Sequence, residues 1–171
     1  SFAIDCGLTY KGRSHNDIEY IEAHQLSGDG LIKSPFLVYE SGIATEVTDA
    51  KILANTWSPE FNRTVGKFCG HRNTPYDRLS DHPSVVKKGK IIHIAQPLFR
   101  IYEKMGMKLH RDLFSNCLKL VYTDPLLEVD LKSAGRASLM RQTHNNHLVL
   151  HLLYASPIMR GEIEVIEDIV P

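Results

Sequence analysis

Residues 89–112, GKIIHIAQPLFRIYEKMGMKLHRD, contain the change of pattern that decides the predicted fold. The run from Lys90 to Ala95 is almost continuously apolar, which is typical of a strand that is covered on both faces, as in a parallel sheet. Gln96 and Pro97 end this strand. From Met107 onward, apolar residues recur at spacings of one, three and four, which predicts a helix with one buried face. A strand followed by an amphipathic helix indicates the end of an α/β layer.

The sequence before this stretch has the pattern of a β meander followed by a long polar segment. Four short segments rich in Ile, Val and Tyr are separated by turn signals, and each predicts a strand: 17–24, 31–40, 43–47 and 51–56. Residues 57–88 are polar and contain three prolines, which predicts an irregular segment. A loop of about thirty residues inside a compact domain is more often functional or interfacial than idle.

The sequence after the predicted helix changes to a period of two. Thr123, Asp124 and Pro125 mark a domain boundary, because proline cannot continue a helix. Alternation beyond it predicts a small all-β module with four strands: 126–132, 136–142, 147–154 and 162–169. Asn145 and Asn146 predict a tight hairpin turn, since Asn tolerates positive φ.

The predicted domains are therefore residues 1–122 and residues 126–171. The chain starts at Ser1 inside a half-buried segment, and the second domain has too few strands for a closed sandwich. We expect both domains to be truncated. The compartment stays open, with the cytoplasm favoured.

Composition excludes several classes of partner. The 171 residues include 20 basic and 20 acidic side chains, so no basic field favours nucleic acid. No apolar run approaches the roughly 20 residues that cross a bilayer. Cys6, Cys69 and Cys117 lie far apart without a CxxC pair, which argues against a disulfide framework and a zinc knuckle. We predict no cofactor, no nucleic-acid partner and no membrane partner.

Several runs in the second half of the chain resemble a known family. They are PSVVKKGKIIHIAQPLFRIYEKMGMKLHRDLFSNCLKLVY (83–122), LLEV, GRASLMRQ and HLVLHLLYASPIMRGEIEVIEDI. Together they are similar to the C-terminal portion of glycoside hydrolases of the beta-galactosidase and alpha-L-fucosidase-like group. The resemblance implies an upstream catalytic (β/α)8 barrel, then a beta-galactosidase trimerisation domain, then a C-terminal β module. It implies an α/β class for residues 1–122, a partial flavodoxin-like (class I amidotransferase-like) domain rich in β structure, followed by the small all-β module.

The resemblance implies no catalytic residue in this chain. Glycoside hydrolysis needs two carboxylates at a fixed separation, and in this group they lie at the C-terminal ends of the barrel strands. The implied function is that of a non-catalytic accessory and oligomerisation region of a glycoside hydrolase. The implied partners are the catalytic barrel of the parent chain, further copies of the chain and carbohydrate.

Two other functions stay open at this point. A carbohydrate-binding module would expose aromatic rings for stacking, and the single Trp57 with dispersed tyrosines favours this little. An autonomous hydrolase would need its own reactive group. Cys69 lies in a polar loop and Cys117 on the apolar face of a helix, so neither has the position of an activated nucleophile. His144 and His147 flank the Asn-Asn turn, but no third metal ligand accompanies them.

Six residues are the candidates for contact with a sugar or with another subunit. Arg and Tyr dominate interface hot spots, and His, Asn and Asp suit sugar hydroxyls. Four candidates lie in the polar segment and two follow the apolar strand: His71, Arg72, Tyr76, Asp77, Arg100 and Tyr102. We expect the polar loop to pack against the barrel or a neighbouring subunit. The alternative is a loop that is bonded only to its own domain.

Overall fold

The computed structural model describes residues 2–26, 28, 30–132, 134–155 and 157–165. These residues contain eleven strands and two helices. In chain order the elements are β1 Leu8–Arg13, β2 Glu19–Glu22, β3 Phe36–Val38, β4 Ile43–Val47, β5 Lys51–Pro59, β6 Tyr76–Lys88, β7 Ile91–Ile94, α1 Leu98–Met105, α2 Lys108–Lys119, β8 Gly135–Gln142, β9 His147–Tyr154, β10 Ile158–Arg160 and β11 Ile163–Val165.

An antiparallel sheet with the strand order β3-β2-β5-β6-β7 forms the centre of the structure. The pairing of β5 with β6 shifts register at four places. Such irregularities bend a strand and increase its twist, so this sheet curls. A separate antiparallel pair, β1 with β4, packs over β6. The hairpins β8-β9 and β10-β11 form two further two-stranded sheets.

The hydrophobic core lies between the central sheet and the two helices. Ile21 on β2 and Val85 on β6 are fully buried in one cluster with Ile101 on α1 and Leu113 on α2. Burying a side chain of this kind contributes about 1.5–3 kcal/mol relative to leaving it exposed. The apolar face of α2 thus forms one side of the core.

The glycine at the C-terminal end of α1 lies close to strand β10. Gly106 follows α1 with φ 60°, in the left-handed region that suits a residue without Cβ. A Cβ at Gly106 would lie 2.5 Å from the backbone carbonyl carbon of Arg160, at the end of β10. The close approach fixes β10 against the C-terminal end of α1.

The expectation of a flavodoxin-like α/β fold is wrong. The structure is mostly β and its sheets are antiparallel. The apolar run that predicted a buried parallel strand forms β7, which pairs antiparallel with β6 from Val85↔Ile94 to Lys88↔Ile91. Each residue of β7 is half-buried. One face of this edge strand is covered by core residues and the other by Phe2, whose ring lies 5.1 Å from that of His93. A strand that is covered on both faces is apolar along its whole length, whether its neighbour is parallel or antiparallel.

The prediction of an irregular segment over residues 57–88 is also wrong for half of its length. β5 continues to Pro59, and β6 occupies all of 76–88. Pro83 argues against a strand when only the sequence is considered, because proline is excluded from regular ladder positions. In the structure Pro83 lies opposite Asn55, between two shifts of register.

Other predicted elements have mixed outcomes. Strands 43–47 and 147–154 and the helix after Met107 are confirmed. Asn146 has φ 51°, which confirms the positive φ predicted for the hairpin turn.

Residues 126–132, all described, form no strand, so that prediction is wrong. Helix α1 was not predicted. Residues 166–169 of the last predicted strand lie outside the described residues. The domain boundary at 123–125 stays a prediction.

Within the described residues, no helix has both the length and the apolar composition needed to cross a membrane.

Candidate functional site

Residues 60–75 join β5 to β6 and form a projecting loop, called the finger here. Its root is closed by the last pair of the ladder, Pro59 with Tyr76. The amide of Glu60 also donates a hydrogen bond to the carbonyl of Pro75 at 2.9 Å. The finger is therefore the extended turn of a long β hairpin.

Side-chain hydrogen bonds attach the finger to the segment between β1 and β2. Asn62 Oδ1 accepts from the amide of Asp17 at 2.9 Å, and Asn62 Nδ2 donates to the carbonyl of His15 at 2.6 Å. At the other side of the root, the hydroxyl of Tyr20 donates to the carbonyl of Thr74 at 2.6 Å. These three bonds hold both ends of the finger.

Interactions within the finger order its outer part. The guanidinium of Arg63 donates to the carbonyl oxygens of His71 and Arg72, the latter at 2.7 Å. The ammonium of Lys67 lies 5.1 Å from the ring centroid of Phe61, within cation–π range. The finger thus has a defined conformation and is more than a polar linker.

The outer part of the finger exposes apolar side chains. Val65 is fully exposed and Phe68 is 70% exposed. His71 and Arg72 are exposed on the same loop. The finger thus exposes apolar side chains together with an arginine on one loop.

The six predicted contact residues separate into groups. Tyr76 belongs to the packed root, because its ring makes edge contacts with Tyr20 and Trp57 at centroid distances of 5.4 and 5.6 Å. Asp77 is exposed near the start of β6. Arg100 and Tyr102 belong to α1, where the exposed Arg100 pairs with Glu40. The structure thus places only His71 and Arg72 on the finger itself.

A buried carboxylate on β2 bonds to the segments before β4, on β6 and after β7, and sequence reasoning missed it. Glu19 on β2 has no exposed surface. Glu19 Oε2 accepts from the amide of Gly42 at 3.0 Å and from Gln96 Nε2 at 2.7 Å. Glu19 Oε1 lies 3.2 Å from His82 Nε2. The sequence did contain a signal for its burial: side chains alternate along a strand, so Glu19 lies on the same face of β2 as the buried Ile21.

The surroundings of Glu19 favour its ionised form. Burial is the largest single influence and would raise the pKa of the carboxyl, but it is outweighed by hydrogen bonds. The donors are His82, Ser14, Gln96 and the Gly42 amide, and together they hold the pKa of Glu19 below its ordinary value. A carboxylate in this state accepts hydrogen bonds and is not placed to give up a proton.

Two polar clefts flank this carboxylate. The first encloses about 610 Å³, and its lining includes Arg13, Asn16, Gln96 and Arg100. The second encloses about 730 Å³ and includes Ser14, Asn16, Thr45, Ser80 and His82. Glu19 bonds to Gln96 in one lining and to His82 in the other, so one buried network supports both clefts.

Burial shifts the pKa values of one thiol and two imidazole groups elsewhere in the chain. Burial raises the pKa of the Cys117 thiol to about 11, so that this thiol is neutral. Burial also lowers the pKa of His93 and of His110, both within residues 89–112. In the part of the chain that the structure describes, no group of three or more His, Cys, Asp or Glu side chains could hold a metal ion.

No protein-family profile and no curated protein sequence matches the chain. A solved structure does match: alpha-L-fucosidase isoenzyme 2 from Paenibacillus thiaminolyticus, with a TM-score of 0.83 and 27% identity over 98% of this chain. The chain has the fold of a fucosidase domain. It spans 26% of the length of that fucosidase chain.

The likeness supports the alpha-L-fucosidase-like part of the predicted resemblance, and with it a domain of the glycoside hydrolase type. The match includes nearly all of both predicted domains, and the division between them stays a prediction. The trimerisation role stays a prediction.

Proposed function

We propose that the chain is a non-catalytic accessory and oligomerisation region of a carbohydrate-active glycoside hydrolase whose catalytic barrel lies upstream. The observation that carries this proposal is the match of nearly the whole chain to about a quarter of an alpha-L-fucosidase. The full burial of Glu19 and its hydrogen bonds to Gly42 and Gln96 agree with it, because a catalytic carboxyl has to reach the substrate.

The finger is the proposed contact with the barrel or with a neighbouring subunit. Ordering a loop on binding costs free energy, and a loop that is already held by hydrogen bonds avoids much of that cost. The bonds of Asn62 and Arg63 supply this order. Phe68 and Arg72 are the side chains that would bind, since aromatic and arginine side chains dominate interface energetics.

Apolar surface elsewhere supports further contacts of the region. On one face of the β8-β9 hairpin Leu148, Leu150 and Leu152 are each more than two-fifths exposed. A two-stranded hairpin is marginally stable by itself in water. An apolar groove of about 540 Å³ also lies between β7 and the helices, beside the rings of Phe99 and Phe114. These surfaces are typical of a domain that packs against other parts of a larger assembly.

A carbohydrate-binding module is the second candidate function. Neither Trp57 nor Tyr76 forms an open stacking platform, because Trp57 Nε1 donates to Glu22 and Tyr76 packs against both Trp57 and Tyr20. The observation that favours this candidate is the pair of polar clefts beside Glu19.

The test of the accessory role changes the finger in the full-length parent protein. A Phe68→Ser, Arg72→Ala variant should lower the oligomer mass or raise KM for the glycoside, because it removes contacts of the finger while leaving its root intact. Leu126→Ser is the matched control, since Leu126 is 88% exposed but lies outside the finger, the apolar groove and the β8-β9 hairpin. Light scattering gives the mass and steady-state kinetics give KM. Unchanged values for the finger variant would exclude the finger as the contact.

A further inference from the structure

The second cleft beside Glu19 contains a histidine whose orientation is fixed from behind. His82 Nε2 bonds to Glu19 Oε1, and its side chain is 11% exposed, in the cleft lining. Because a carboxylate accepts this bond, Nε2 is its donor, and in the tautomer with the proton on Nε2 the other ring nitrogen, Nδ1, is an acceptor. No residue in the described ranges bonds to Nδ1. The buried carboxylate thus positions an unused acceptor at the cleft.

Neighbouring side chains in the same cleft have further hydrogen-bonding capacity. Ser80 Oγ lies 2.6 Å from Ser58 Oγ, which accepts from Asn16 Nδ2 at 3.2 Å. Asn16 Oδ1 has no donor among the residues that the structure describes. Thr45, also in the lining, has a buried hydroxyl without a hydrogen-bond partner within those residues. Buried polar atoms of this kind usually have a partner in native proteins.

The charges around the cleft favour a neutral ligand. Four ionisable residues in its lining carry charges that cancel: two are basic, Lys11 and Arg78, and two are acidic, Glu46 and Asp81. Lys11 and Glu46 also form an ion pair with each other. An anion or a cation would find as many repelling as attracting groups, whereas a ligand rich in hydroxyls can use the serine, asparagine and histidine side chains.

We propose that this cleft binds a neutral polyhydroxylated ligand, namely the end of a saccharide, with hydroxyl groups that donate to His82 Nδ1 and Asn16 Oδ1 and exchange hydrogen bonds with Ser80. The volume of about 730 Å³ lies within the range of small-ligand pockets. The assignment to saccharides rather than other polyols rests on the proposed role in a carbohydrate-active enzyme. Glu19 acts here as a positioning residue, because it touches His82 and not the ligand.

The test titrates L-fucose and D-galactose into the 171-residue chain, with inorganic phosphate as an anionic probe, and follows binding by calorimetry and saturation-transfer NMR. His82→Gln retains a donor for Glu19, since the glutamine amide can take the place of Nε2, but it removes the ring acceptor. We expect His82→Gln to weaken sugar binding about tenfold and Ser80→Ala about threefold, as for one lost hydrogen bond each. Ser34→Ala, an exposed hydroxyl outside the cleft, is the matched control and should bind as the unchanged chain does.

Three results would overturn the proposal: no saccharide binding by the folded chain, equal binding by the His82→Gln and unchanged chains, or competition by phosphate. A melting curve of His82→Gln shows that lost binding is not lost folding. The test is separate from that of the accessory role, because finger variants should change the oligomer mass without changing saccharide binding to the chain.

Discussion

At the residue scale, Glu19 connects parts of the chain that are distant in sequence. Its carboxylate receives hydrogen bonds from Gly42 before β4, from His82 on β6 and from Gln96 after β7. Gln96 in turn accepts from the buried hydroxyl of Ser84 at 2.6 Å. A buried polar network that is fully bonded stabilises one arrangement of the segments that it joins.

Glu19→Gln should lower the free energy of unfolding by about 2–4 kcal/mol, because it places an amide donor against several donors in a buried site. Urea unfolding measures the change. Glu46→Gln is the control, since Glu46 is exposed and pairs with Lys11 at the surface, where ion pairs contribute little. Equal losses in the two variants would show that Glu19 has no special role.

The lowered pKa of Glu19 predicts a pH dependence with a definite sign. A carboxyl whose pKa is lower in the folded chain stabilises the fold above its ordinary pKa, and this contribution is lost as the pH falls through the folded value. The difference in unfolding free energy between the unchanged chain and Glu19→Gln should therefore be constant near neutral pH. It should shrink below a pH of about 4.5, the ordinary value for this group. A difference that grows on acidification would contradict the assignment.

Sequence reasoning found exposed residues of the finger but not the buried network. His71 and Arg72 stand out by residue type, and their exposure agrees with that prediction, although their function stays a prediction. Tyr76 was chosen for the same reason, yet it packs at the root, because its neighbours Tyr20 and Trp57 come from other strands. The partners of Glu19 are likewise brought together only by the tertiary fold.

At the element scale, the finger owes its order to a few side chains. Arg63 donates to two carbonyl groups across the loop. Arg63→Ala should raise amide hydrogen exchange in residues 60–75 roughly tenfold, as expected for the loss of hydrogen bonds from a charged donor. The control is Arg141→Ala, which removes an exposed arginine from β8. Unchanged exchange in the finger after Arg63→Ala would mean that its root alone orders it.

The junction of α1 with β10 depends on Gly106, and a second glycine gives a matched comparison. Gly106 and Gly89 both have positive φ, at 60° and 56°, but only Gly106 has a neighbour within 4 Å of the added Cβ, namely Arg160. Alanine at either position costs about 1 kcal/mol in backbone conformation. Gly106→Ala should cost 1–3 kcal/mol beyond Gly89→Ala, of the order of overpacking a close contact, as measured by urea unfolding. Equal costs would show that β10 does not pack as described.

Local patterns predicted individual elements better than their partners. The alternation in 147–154 and the helical period after Met107 gave β9 and α2 correctly. The direction of pairing of β7 was wrong, since an apolar run does not encode whether its neighbour is parallel or antiparallel. β6 was missed because it contains Pro83. Proline has no backbone N–H to donate to a regular ladder, but the ladder between β5 and β6 is irregular at this position.

At the scale of the whole molecule, the runs between 83 and 169 carried the correct coarse resemblance although the predicted fold class was wrong. They comprise β7, the two helices and the C-terminal hairpins, all within the region that matches an alpha-L-fucosidase. A resemblance of motifs can hold while the assigned architecture fails, because motifs record local sequence and architecture depends on long-range pairing. The proposed contact and binding roles rest on the finger, the exposed leucines of β9 and the clefts beside Glu19.

The most direct test of the accessory role is the hydrolysis of 4-nitrophenyl α-L-fucoside and β-D-galactoside by the 171-residue chain, measured beside the full-length parent protein. We predict that the chain alone, shown to be folded by a cooperative melt, releases nitrophenol no faster than buffer, while the parent turns over at least one of the two substrates. Turnover by the chain alone that is lost in Glu19→Gln would contradict the account, because it would place the catalytic carboxylate inside this domain.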